Sequence, residues 1–575
     1  MSGDDTPTTA SSSSRSTTPV QDPAEELRRQ RTIEQAKDEG HDADIPSSTG
    51  YILTKETEEK RKTSIALQRR HSVALARSRS QASAATRAAD VEKTAGAADD
   101  GTAGGEEDDS EVAEENIVWW DGPDDPENPY NWPNWRKYTC CALISALTFV
   151  TPLGSSCFAP GVPELMREFK STNTELAAFV VSVYVLGFAF GPMFMAPISE
   201  IYGRTVVYHV CNICFVAFNV GCALAPSLSA LIVLRFLAGA FGSAPMTNGG
   251  GSIADMIHAE KRAGAMAAFS VGPLLGPIIG PVIGGFLSSA KGWRWVFWLI
   301  VMISGVCSVA MLLVLKETYA PVILERKAAR LRKETGNDLL RSKLDVGLSQ
   351  KDYFNRSIIR PMRILVTPIA FVFAIYMAVV FGYMYLLFTS VTYVFQKYYQ
   401  FSTNIVGLTF LGLGVGSFLG MILYTMQTNR LIAKQASGGK IKPELRLAAL
   451  PYGAVVLPIG FFIYGWTAQH HTHWIAPIIG MGVIGVGQMS IMMAIMMYLV
   501  DAYELYAASA LAANTIIRSI AGATLPLCGL KMYDQLGLGW GNSLLGFIAV
   551  GMIPAAFIIL KYGEYLRTRF AIQDL

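Results

Sequence analysis

Apolar residues in this chain gather in runs of about twenty, separated by short polar breaks. At a helical rise of about 1.5 Å per residue, such a run matches the ~30 Å hydrocarbon core of a bilayer. Twelve membrane spans are predicted, near 139–159, 175–195, 205–225, 229–250, 264–289, 294–315, 364–388, 403–426, 446–466, 474–499, 506–530 and 541–561. Most connections between them are short. The exception, 316–363, is rich in Lys and Arg and divides the spans six and six. The predicted organisation is a polar tail (1–118), a Pro/Trp-rich lead-in (119–138), a first six-helix bundle (139–315), a basic linker (316–363), a second bundle (364–562) and a short closing tail (563–575).

Composition sharpens this picture. With 51% hydrophobic and 16% charged residues and a mean hydropathy of +0.31, the 575-residue chain is not an ordinary soluble domain. A net charge of +2, with no basic groove interleaved with aromatics, gives no reason to expect a nucleic-acid partner. The eight cysteines lie mostly inside apolar runs, where buried thiols are the ordinary reading; Cys211 and Cys214 form a CxxC without a second pair, so neither a disulfide framework nor a metal is expected.

The tail has hardly an aromatic residue and cannot bury enough apolar surface to offset ordering, so it is expected to be disordered. Ser64 and Ser72 sit behind basic pairs and are candidate kinase sites. No secretory leader pattern is read at the start of the sequence, so the tail is expected to lie in the cytoplasm. Trp119, Trp120, Trp132 and Trp135 suit a membrane interface, and Arg136 with Lys137 marks the cytoplasmic edge. The linker then falls on the same side, where Lys and Arg outnumber those of the opposite loops severalfold; both termini are expected inside.

In the fifth span Gly272, Gly276, Gly280 and Gly284 recur every four residues and bare one helix face for close packing, while Pro273, Pro277 and Pro281 remove backbone donors and bend the helix. Gly276, Gly280, Pro281, Gly284 and Gly285 resemble the antiporter motif in the fifth span of drug:proton antiporters of the major facilitator superfamily. The loop from Ala196 to Thr205 resembles that superfamily's signature between spans two and three. It has Glu200 where an aspartate is usual and keeps Gly203 and Arg204, but departs at Ala196 and Thr205. The resemblance implies a conformational latch in which this loop pairs with acids at span ends. Asp255 is the partner assigned to Arg204, and Arg430 with Asp501 stands at the matching ends of the second half. Arg235 resembles a fourth-span motif. The stretches from Trp293, Lys316 and Asp501 are similar to the fungal branch of these twelve-span antiporters, which includes multidrug, polyamine and metabolite exporters. The implied fold is an all-α membrane protein of the major facilitator type, two six-helix bundles about a central route.

Buried charge marks candidate function in a membrane span. Arg235 and Arg518 are the coupling candidates, with Asn514 one turn before Arg518 on the same face. No Asp or Glu falls at mid-span. Glu200, Asp255, Asp501 and Glu504 sit at linker-side ends, and Glu164, Glu168 and Glu175 lie near the other side. Proton coupling is therefore implied by the resemblance and not by an identified acid. Substrate-binding candidates are Tyr184, Asn248, Tyr376, Tyr383, Gln488 and Asn514, beside five methionines between Met489 and Met497.

Without a GxxxxGK[ST] motif a gradient, here of protons, is the expected energy source and no cofactor is called for. His470, His471 and His473 lack a neighbouring acid cluster or nucleophile motif, so no enzyme is expected. The reading is proton-coupled efflux of amphipathic small molecules across the plasma membrane by a monomer that alternates access. Proton-coupled uptake, polyamine export and non-transporting sensing remain open at this level.

Overall fold

Residues nine apart in a straight helix are separated by about 13 Å. Yet the Tyr533 hydroxyl donates to Asn542 Oδ1 at 3.0 Å. The chain folds back between them at Gly537, whose φ of 75° favours glycine, so the stretch Ala507–Arg569 is two spans and not one long helix.

The computed structural model describes residues 116–569 apart from 346, 348, 437–442 and 504–506. Among the described residues eleven helical stretches are long and apolar enough to cross a membrane, and the reversal at Gly537 makes the last of them spans 11 and 12. The first half holds span 1 (Asn134–Ser156), span 2 (Thr174–Tyr202), span 3 (Arg204–Ala223), span 4 (Leu228–Gly242 and Ala244–Met256), span 5 (Ala259–Lys291) and span 6 (Arg294–Val314). The second holds span 7 (Pro368–Tyr399), span 8 (Thr403–Ala436), span 9 (Leu450–Gln469) and span 10 (Ile475–Tyr503), then spans 11 and 12. Several helices outrun the predicted apolar windows. Span 7 continues past 388 to Tyr399, because polar and aromatic residues at its end extend a helix beyond the hydrocarbon without breaking it.

The outward faces are apolar: Val233, Val306, Leu313, Val415 and Phe547 are exposed. So much bare hydrocarbon on every side is stable only in lipid, where helices satisfy their own backbone groups. This is a multi-pass membrane protein.

The linker is more ordered than its polarity suggests. It contains the helices Ala320–Thr335 and Gln350–Leu365 and a two-residue strand, Arg341–Ser342, paired in parallel with Ile117–Val118 ahead of span 1. Lys327 is buried beneath the lead-in, its ammonium 2.6 Å from Asp121 Oδ1 and 3.4 Å from Asp125 Oδ2. The lead-in is thus docked on the linker helix. Of its four tryptophans Trp132 packs into the bundle beside Cys140 and Ile144, a correction to their reading as a uniform interfacial set. The tail to residue 115, with Ser64 and Ser72, lies outside the described residues, as do Glu504 and the last six positions.

Candidate functional site

Span 5 is clamped between the halves by its glycines. A Cβ on Gly272 would approach Phe149 N to 3.0 Å, on Gly276 Leu153 N to 2.9 Å, on Gly280 Ser156 Oγ to 2.3 Å, and on Gly284 Cys157 O to 1.7 Å, so the whole stripe lies against span 1. Gly285 points elsewhere. Its Cβ would meet Thr403 O of span 8 at 2.8 Å, and one on Gly407 would meet Pro281 O at 2.5 Å. One helix therefore makes backbone-close contact with both bundles, which its small residues permit.

On the linker side, the loop between spans 2 and 3 sits at the centre of a polar network. Arg204 Nε lies 3.5 Å from Asp255 Oδ2, the acid assigned to it from sequence, as an ion pair without hydrogen-bond alignment. Arg204 Nη1 donates to Ser199 Oγ at 2.6 Å, and that hydroxyl donates to Asn248 Oδ1 at 3.1 Å. Span 3 begins without a capping side chain of its own. Glu317, just after span 6, supplies the cap: Oε1 accepts from Arg204 N at 2.9 Å and Oε2 from Thr205 N at 3.3 Å. The guanidinium of Arg204 also lies 4.7 Å over the Tyr319 ring. Glu200 Oε2 accepts from the Tyr353 hydroxyl at 2.7 Å, tying the loop to the linker helix Gln350–Leu365. Burial, and then the Glu200 charge, push Tyr319 up to about 12, so the phenol stays neutral beside these carboxylates.

Each half carries one arginine within its spans, Arg235 in span 4 and Arg518 in span 11. Arg235, 1% exposed, donates from Nε to Val180 O at 2.7 Å and from Nη2 to Ser155 O at 3.3 Å and Val181 O at 3.4 Å. Phe158, Tyr184 and Phe297 surround its guanidinium. Ser155 Oγ shares a 3.0 Å hydrogen bond with the Tyr385 hydroxyl of span 7, and Tyr385 is an electrostatic neighbour of Arg518 as well as of Arg235. This hydrogen bond ties span 1 of the first half to span 7 of the second. The Arg518 guanidinium lies 5.0 Å from the Phe381 ring centroid.

Beyond this layer, away from the linker, the halves enclose a cleft of about 170 Å³. Met166, Val181 and Asn173 line it from the first half, Thr389, Thr392 and Leu530 from the second. On the same side Glu175 of span 2 forms an exposed ion pair with Lys531 of span 11.

The family model of the Major Facilitator Superfamily matches residues 144–526. The chain belongs to this superfamily. It is 53% identical over 464 residues to "MFS-type transporter tndD" of Aspergillus flavipes, covering 80% of this chain and 86% of that protein. It is 48% identical over 469 residues to "Efflux pump radE" of Floropilus chiversii, covering 80% and 87%. The fold is similar to the crystal structure of a D-xylose–proton symporter, with TM-score 0.57 at 15% identity, covering 74% of this chain and 97% of that one. Like other major facilitators, the protein is a secondary transporter.

Within that fold, several sequence candidates take other positions than expected. Tyr383 turns into the second bundle, donating to Leu545 O at 2.9 Å and packing edge-on to Phe461, so it does not face the central route. Tyr184 donates to Thr151 O at 3.0 Å inside the first bundle. Asn248 belongs to the loop network through Ser199. Tyr376 and Gln488 are buried, Gln488 with Oε1 unpartnered. Asp501 pairs with Arg446 at 2.8 Å and not with Arg430, which is exposed. Sequence reading missed Glu317, Tyr353 and Tyr385 as site residues. Glu317 lies in the stretch from Lys316 whose resemblance to the fungal branch was the available signal, Tyr353 stands in the linker with no pattern to distinguish it, and Tyr385 is one aromatic among many in span 7.

Proposed function

We propose that this major facilitator exports amphipathic small molecules across the plasma membrane, driven by the proton gradient, with the tail and linker in the cytoplasm. The cleft between the halves, opening away from the locked Arg204 loop, is the observation that carries the reading: it is what a carrier closed on its linker side presents to the far side. Support comes also from one relative named as an efflux pump and from span 5, whose tight contacts with both halves leave little room for leakage. Alternating access then consists of parting the Arg204–Asp255 and Glu200–Tyr353 contacts while the Glu175–Lys531 side closes. Arg235 and Arg518 are the coupling candidates, joined through Ser155 and Tyr385. The carrier acts as a monomer and needs no bound cofactor. Kinases acting on the tail are the further partners in this reading.

Deleting the gene in its host and comparing retained with secreted metabolites, together with growth on a drug panel, tests this reading. Loss of one secreted product marks a dedicated exporter and broad drug sensitivity a general one. No change in either overturns export.

A further inference from the structure

Asn514 is 4% exposed, and neither its amide oxygen nor its amide nitrogen has a hydrogen-bond partner. Leaving such groups buried and unpaired is costly. One helical turn on, Arg518 Nε is likewise buried and unpartnered. Among the described residues no carboxylate lies within ion-pair distance of Arg518, whereas Arg235 is anchored by the carbonyls of Val180, Val181 and Ser155. The buried Arg235 and the half-buried Arg518 therefore differ. Arg235 is held by the fold, and Arg518 is left with donors to offer.

We infer that Asn514 and Arg518 form an anion subsite, taking a carboxylate with an adjacent hydroxyl on an otherwise apolar cargo. This rests on the export reading and narrows its substrate class. Arg518 offers the planar fork that carboxylates favour, and the Asn514 amide adds a donor. The amide oxygen of Asn514 then accepts a hydrogen bond from the cargo's hydroxyl. Phe381 supplies an apolar wall at 5.0 Å from the guanidinium. Thr389 of the cleft lining stands one turn along span 7 from Tyr385, which is buried between the cleft and this layer of the halves. A cationic cargo has no partner here.

Thermal unfolding of the purified full-length protein tests the inference, with 1-hydroxy-2-naphthoate and its methyl ester as probes. The acid is expected to raise the Tm of the wild type and the ester not to. Arg518→Gln or Asn514→Ala should weaken the acid's apparent affinity about tenfold or more, as loss of a charge-assisted hydrogen bond does. Arg518→Lys keeps the charge without the fork and should fall between, which keeps the test meaningful if Arg518→Gln folds poorly. Equal shifts with acid and ester, equal shifts in wild type and Arg518→Gln, or no shift with the acid each overturn the anion subsite. Efflux of the ester from cells distinguishes the two readings: a wild type that exports it without an acid-specific shift keeps the export reading and loses only the subsite.

Discussion

The Glu317 carboxylate occupies the space that a side chain on Gly203 would need. A Cβ on Gly203 would stand 2.1 Å from Glu317 Oε2, and the glycine's φ of 103° is one that other residues rarely adopt. The two positions, 114 apart in sequence, jointly hold the start of span 3 and with it Arg204.

Gly203→Ala is accordingly expected to displace Glu317 and strain the turn, costing on the order of 1–3 kcal/mol. Glu317→Gln keeps the shape and weakens only the charged cap, so its cost should be smaller. Thermal unfolding of both variants checks the order, and a milder Gly203→Ala would contradict it.

The glycine stripe of span 5 gives a graded series. Gly284→Ala drives a methyl group into the Cys157 carbonyl of span 1 and should destabilise by about 1–3 kcal/mol or more. Gly285→Ala meets span 8 across the halves, so slowed transport with lesser loss of stability is expected. Gly264→Ala, with nothing within 4 Å, is the neutral control. Expression level, Tm and efflux rate measured together distinguish the three.

Glu175 and Lys531 are exposed, and such pairs contribute little. Lys531→Ala should therefore change the reactivity of a cysteine placed at Leu530 by no more than about fivefold. A larger change would make the pair a dominant gate.

Burial opposes the charge on Asp125, but the backbone N–H groups of Asp121 and Glu127 and the Lys327 ammonium outweigh it and hold the carboxyl below its usual range. A carboxyl with a depressed folded pKa stabilises above its unfolded pKa of about 3.9, and that stability is lost as pH falls through the folded value. Asp125→Asn should lose stability at neutral pH and show a flatter decline below about pH 4, read from Tm against pH.

The spans were legible because a bilayer admits only long, self-bonded helices. The close packing of span 5 was legible because four-residue glycine spacing bares one face. Side-chain partners were less so. Tyr383 and Tyr385 lie about 200° apart around span 7, so one faces Leu545 and the other Ser155, and hydropathy does not choose between them. Glu317 finds its partners at Arg204 and Thr205 only through tertiary packing, so the resemblance of the stretch from Lys316 marks the residue without showing what it binds. The two-residue strands are too short to carry a period.

The pairing of Ile117–Val118 with Arg341–Ser342 fastens the chain just before span 1 to the chain just after span 6. The first half is thereby cinched into a loop with its own ends buckled together. Only the stretch from Lys343 to Thr367, most of it the helix Gln350–Leu365, then connects the bundles, so the tether is about half as long as the residues separating spans 6 and 7 suggest.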